Sequence, residues 1–359
     1  MRLNLTRSGG GAVVVGREHH WCRNTCRASA EATTFGVPRG WAQAIAVCWG
    51  TTFKCARGVV GGRVTPLGAS GDTASRAARH RYLDAGRQGA HVASCGVELW
   101  SETVGDGPAL VFLHAAIADS RMWEQQVEAF RMTHRCVRCD FRGFGRTGLT
   151  AGMFAHARDV LAVLDRHAID EAVIVGASMG GRVAMELAIT APERVRGLVL
   201  VAAGLPGYQW SDAVRAFGDA EDDAIERGDI DTAVDLNLSF WLDGPSRPAA
   251  NVDTTTRALV ADMQRTALHH FLPHLGNADE SLAVPDLSDR LAEIDVPTLV
   301  IVGDQDTFDL ITIATRLAAD IPDAQLHMIS DTAHLPSLEA PVAFDSLLSE
   351  FLSKLSRAL

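Results

Sequence analysis

The stretch Val173-Ile174-Val175-Gly176-Ala177-Ser178-Met179-Gly180-Gly181 decides how this chain is read. Its apolar start has the composition of a buried strand, and Val183-Ala184-Met185-Glu186-Leu187-Ala188 beyond it reads as a helix. Between them stands G-x-S-x-G. A serine at so tight a strand-to-helix turn is held in strained backbone geometry, and small residues at 176, 177 and 180 let the chain fold back without clashes. The hydroxyl then projects from the bend, and the helix start turns its positive dipole end toward the same place.

Working outward, strands and helices alternate. Val97 to Val104 alternates like a strand and ends in the turn Gly105-Asp106-Gly107-Pro108. A buried-strand run follows at 109–113, then a helical stretch near 121–130, a strand at 136–140, a helix near 153–167 and a strand at 172–176. Past Ser178 come a helix to about 190 and strands at 198–201, 298–302 and 324–329. This rhythm predicts an α/β fold with a mostly parallel central sheet flanked by helices. Residues 205–293 break it with no convincing strand, and nearly 90 residues is too long for a structureless connection. They are expected to form an inserted helical cap, leaving 89–204 and 294–359 as the core.

The net charge of −11 is divided unevenly: residues 1–90 hold 13 Lys and Arg against 4 Asp and Glu, and residues 91–359 hold 20 against 40. An acidic domain argues against a nucleic-acid groove, which needs excess basic charge. Residues 1–88 show no sustained period and are broken by glycine clusters, so a disordered extension is expected there, one the domain does not need. A start assigned too far upstream would require a non-standard codon, since no Met lies between Met1 and Met122. The apolar core Ala12 to Val15 is shorter than that of a signal peptide, and Trp41 to Phe53 is too short to span a bilayer. A cytoplasmic protein with no membrane association is the expectation. Seven cysteines, five of them before residue 96, make a poor disulfide framework, and Cys136 and Cys139 read as ordinary strand residues. His19, His20, Cys22 and Cys26 lack a second well-spaced pair to complete a zinc site.

On these motifs the region from about 91 to 359 resembles the α/β-hydrolase superfamily. His114-Ala115-Ala116 resembles the family's oxyanion loop, with Ala115 where glycine is usual, and Asp140-Phe141-Arg142-Gly143-Phe144-Gly145-Arg146-Thr147 resembles its D-x-R-G-x-G-x-S turn. The resemblance implies that Ser178 is a nucleophile and that the backbone N–H groups of Ala115 and Met179 form the oxyanion hole. It also implies the chain order Ser, acid, His. His334, in Asp331-Thr332-Ala333-His334-Leu335-Pro336 with Glu339 and Pro341 following, resembles the family's G-H-x-x-x-x-E-x-P segment, with Ala333 replacing glycine. Gly303-Asp304-Gln305-Asp306 resembles its G-x-x-D and points to Asp306 as the acid, with Asp304 as the alternative. His114 is expected to orient its loop by hydrogen bonds.

A serine nucleophile implies acyl transfer rather than the aspartate-ester chemistry of dehalogenases and epoxide hydrolases. Residues 114–123 and 236–245 resemble the bacterial branch of 3-oxoadipate enol-lactonase-like proteins, which implies a small carboxylic ester or lactone as substrate. Trp210, Phe240, Trp241 and Met263 are expected either to line an apolar pocket or to pack the cap helices together. A C–C bond hydrolase or a cofactor-free perhydrolase would use the same triad, and a non-turnover binding protein could retain it. Base, acid and oxyanion donors all come from protein, so neither metal nor organic cofactor is expected. The only implied partner is a small-molecule substrate; oligomeric state is not written in this sequence.

Overall fold

The computed structural model describes residues 97–357. The expected extension over 1–88 lies outside these residues, as do the four His and Cys residues between 19 and 26.

Seven strands form one sheet: β1 (Ser101–Val104), β2 (Ala109–Leu113), β3 (Arg135–Cys139), β5 (Ala172–Ala177), β6 (Val195–Val201), β8 (Thr298–Gly303) and β9 (Ala324–Ile329), in the order β1-β3-β2-β5-β6-β8-β9. Only β1 runs antiparallel, against β3; the remaining neighbours are parallel. The central strands β5 and β8 are buried at every position, as their unbroken apolar runs require, whereas the edges β1 and β9 are partly exposed. Cys136 and Cys139 are buried free thiols of β3, and burial pushes the Cys136 thiol up to about 12.

The helices α1 (Glu124–Phe130), α2 (His156–Arg166), α3 (Met179–Thr190), α7 (Phe308–Asp320) and α9 (Pro341–Arg357) follow the strands, with one short turn, α8 (Pro336–Glu339), before the last. Between β6 and β8 lies the insertion, with α4 (Asp212–Glu226), α5 (Ile230–Asn237) and α6 (Thr254–Phe271). Its helices start where the sequence supplies caps. Side-chain oxygens of Ser211, Asp229 and Asp253 accept from the backbone N–H groups of Val214, Thr232 and Thr256. Between α5 and α6 the chain makes a π-helical turn, Leu238–Asp243, which carries Trp241.

The elements differ from the sequence expectations in two places. Strand β1 is shorter than the alternation from Val97, because the Thr147 hydroxyl interposes at Trp100: the Trp100 N–H donates to Thr147 Oγ1 (2.9 Å), which itself donates to the Asp140 carbonyl (2.8 Å), so that the Trp100 carbonyl, accepting from Asp140 N–H (3.0 Å), alone continues the ladder with β3. The insertion does contain a strand, β7 (Ala278–Glu280), paired in parallel with β4 (Gly152–Phe154) where a helix start was expected. Neither strand has an apolar face to betray it. A buried ion pair secures the second, Arg182 Nη2 to Glu280 Oε1 at 2.6 Å.

Candidate active site

The bend at Ser178 has φ 51° and ψ −110°, a left-handed conformation that costs a non-glycine residue about 1–3 kcal/mol. Three backbone bonds hold it. Ser178 N–H donates to the Val201 carbonyl (2.8 Å), and the Ser178 carbonyl accepts from Gly204 N–H (3.1 Å) and Arg182 N–H (3.1 Å). The glycines of the motif are steric necessities: a Cβ on Gly176 would lie 2.3 Å from the Gly180 carbonyl oxygen, and one on Gly180 would lie 2.3 Å from that of Leu113. Strand β5 therefore runs directly into α3, with Ser178 buried at the join and Met179 as the first helical residue.

Asp306 and His334 follow β8 and β9, so all three residues stand at the carboxyl ends of parallel strands, where such sheets place their ligand sites. His334 Nδ1 and Asp306 Oδ2 are 3.0 Å apart and both side chains are buried. The other carboxylate oxygen of Asp306 accepts from Thr307 N–H at 2.7 Å. Asp304 points elsewhere. Its Oδ1 accepts from Asp331 N–H (2.8 Å), steadying a residue with φ 60° in the histidine loop.

That loop is held from both sides. Glu339 accepts from Ala333 N–H (3.0 Å) and Leu335 N–H (3.2 Å), the two amides flanking His334, and pairs with buried Arg247 of the insertion. Burial raises the Glu339 carboxyl above the usual range against the pull of Arg247. Arg247 also donates to the carbonyls of Leu242, Asp243 and Asp331, tying the π-helical turn to the histidine loop. The same turn sets the Trp241 ring 4.8 Å from the His334 ring, and its Trp241 carbonyl accepts from His334 N–H (3.3 Å).

On the β2 side, Phe141 N–H donates to His114 Nε2 (3.0 Å), which leaves Nδ1 to carry the proton and donate to the Ala115 carbonyl (2.8 Å). An Nε2 that accepts belongs to a neutral ring, burial lowers the His114 pKa in the same direction, and both nitrogens serve the loop. Among the described residues the Ala115 N–H is directed at a thioether, Met122 Sδ at 3.5 Å, a weak acceptor. Met263 of α6 likewise presents its sulfur to Asp119 N–H (3.3 Å), and Arg121 joins Asp119 to Asp262 of the same helix (2.7 Å to each).

Of the four residues expected as pocket lining, Trp241 and Met263 reach the site loops in this way. Phe240 stacks on Phe217 within the insertion (centroids 4.5 Å), and Trp210 packs edge-on to Tyr208 (5.1 Å). Sequence reading missed the staple by Glu339 and Arg247 and the role of Met122. Only the spacing of Glu339 from His334 signalled the first, and nothing local to Met122 signals the second.

Residues 108–341 match the family model described as alpha/beta hydrolase fold, well over half of the chain. The chain belongs to the α/β-hydrolase fold family. It is 28% identical over 253 residues to 3-oxoadipate enol-lactonase 1 of Acinetobacter baylyi, covering 70% of this chain and 90% of that one. To a 2-hydroxy-6-oxononadienedioate/2-hydroxy-6-oxononatrienedioate hydrolase of Burkholderia vietnamiensis it is 29% identical over 285 residues, covering 74% and 94%. A solved structure of Est816, described as an N-acyl homoserine lactone degrading enzyme, superposes with a TM-score of 0.57 at 27% identity, covering 72% of this chain and 98% of the other. This α/β-hydrolase is thus a hydrolytic enzyme with relatives named for quite different bonds. Among its described residues no helix is long and apolar enough to cross a membrane.

Proposed function

We propose that this α/β-hydrolase cleaves a small carboxylic ester or lactone through an acyl-enzyme on Ser178. The observation that carries the reading is the His334–Asp306 contact at 3.0 Å, buried beyond the same carboxyl end of the parallel strands as the strained Ser178. His334 takes the serine proton as Ser178 Oγ attacks the carbonyl carbon, and Asp306 stabilises the imidazolium. The N–H groups of Ala115 and Met179 receive the oxyanion. Collapse of the tetrahedral intermediate expels the alcohol, or opens the lactone ring, with the proton returned by His334. Water, activated by the same imidazole, then hydrolyses the acyl-serine. The helical insertion acts as a cap over this end, with Trp241 and Met263 as apolar walls.

A panel of p-nitrophenyl esters, lactones and vinylogous diketones tests the reading. Turnover of esters or lactones is expected, abolished in Ser178→Ala. Activity confined to the diketones would replace it with C–C bond hydrolysis.

A further inference from the structure

Gln264 lies in the middle of α6, fully buried, and neither its Oε1 nor its Nε2 has a hydrogen-bond partner among the described residues. A buried carboxamide left this way is destabilising, so such groups normally find partners. Its place on the helix shows what it faces. The buried residues Val260, Met263, Gln264, Ala267 and Leu268 form one stripe at helical spacing, turned away from solvent. Met263, one residue before Gln264, presents its sulfur to Asp119 of the oxyanion loop. Phe271, two turns after it on nearly the same line, lies with its ring 5.3 Å from that of Phe144, which in turn packs 5.0 Å from His114. Gln264 thus sits on the underside of the helix that crosses the loops following β2 and β3.

We propose that Gln264 is a specificity-determining residue that hydrogen-bonds an amide-type group of the substrate, remote from the scissile bond. A primary carboxamide offers one acceptor and two donors, which matches a neutral group that both donates and accepts. An amide or carbamate fits this description; an alkyl chain leaves the carboxamide orphaned, and a carboxylate leaves its oxygen facing another acceptor. In a dry site this difference is large, because a buried polar group without its partner penalises the wrong substrate. This assignment rests on the acyl-enzyme reading of Ser178.

The test compares p-nitrophenyl esters whose acyl chains carry an amide, 3-acetamidopropanoate and 4-acetamidobutanoate, with hexanoate and heptanoate, which match them in chain length. The native enzyme should favour at least one amide ester over its hydrocarbon match in kcat/KM. Gln264→Met should shrink that ratio by about 10- to 100-fold and hold or raise Tm, since it replaces an orphaned amide with an apolar group of similar length. A ratio unchanged by the substitution, or a Tm lowered by several degrees, would overturn the proposal. If no ester is turned over while Ser178 is still labelled by a fluorophosphonate, the ester reading fails by itself. The role of Gln264 is then decided by N-propylpropanamide, which should retard labelling in the native protein and not in Gln264→Met; equal retardation in both would overturn it.

Discussion

The loops after β5, β8 and β9 and the insertion that meets them satisfy their polar groups in different ways. In the loops, the Ser178 backbone N–H and carbonyl, both Asp306 carboxylate oxygens and the two amides beside His334 all have partners. In the insertion, the Gln264 carboxamide and Asn237 Oδ1 are buried without a partner among the described residues. The difference teaches where each kind of information is stored. On the proposed mechanism the reacting groups must be held within fractions of an ångström, which the paired groups just named provide; on the proposed role of Gln264 the carboxamide instead keeps hydrogen-bonding capacity for a ligand.

The largest effect should come from the rigid side. Ser178→Ala should lower kcat on the best ester by about 10⁶-fold, as loss of a nucleophile does, with an unchanged far-UV spectrum. Survival of substantial turnover in this variant would break the comparison at its root. The two carboxylates after β8 sharpen it: Asp306→Asn should cost about 10⁴-fold in kcat by favouring the wrong histidine tautomer. Asp304→Asn should instead act chiefly on stability through the Asp331 contact. Equal losses of kcat in the two variants would mean that the 3.0 Å contact to His334 does not identify the acid.

Next come effects on stability. Phe217 stacks on Phe240 and meets Trp241 edge-on, so Phe217→Ala should destabilise the insertion by about 3–5 kcal/mol, read by chemical denaturation. Fluorophosphonate labelling of Ser178 should persist.

The smallest effect concerns pH. Burial lowers His156 from 6.5 to about 4, so the unfolded chain binds its proton first. This group's contribution is complete above pH 6.5 and is lost as pH falls toward 4, by about 3 kcal/mol in all. Rings of Phe141 and Phe154 lie 4.6 and 5.1 Å from it, which gives a phenyl group a ready slot. His156→Phe should therefore remove that part of the slope of unfolding free energy against pH. Identical slopes in the two proteins would show that the ring is not held neutral.

How much of this was legible in the sequence depends on how local the signal is. Apolar runs at 109–113, 172–176 and 298–302 gave the sheet, and G-x-S-x-G with its helix gave the bend, because strain, small neighbours and strand burial are written within a few residues. Asp306 could be preferred to Asp304 only through resemblance; what separates them is that one faces His334 and the other Asp331, a matter of distant loops. Strands β4 and β7 are three residues each and pair across 126 positions, so no periodicity exposes them. Of the apolar residues proposed for the pocket, all four look alike in sequence, and the fold alone divides Trp241 and Met263 from Phe240 and Trp210. Gln264 is silent in the sequence, for a glutamine in a helix is ordinarily solvated.

The most direct measurement is peptide mass spectrometry of the full chain after treatment with a fluorophosphonate. The nucleophile assignment requires a single stoichiometric adduct on the peptide containing Ser178, formed slowly or not at all in His334→Ala. Folded protein that stays unmodified at Ser178 would contradict it.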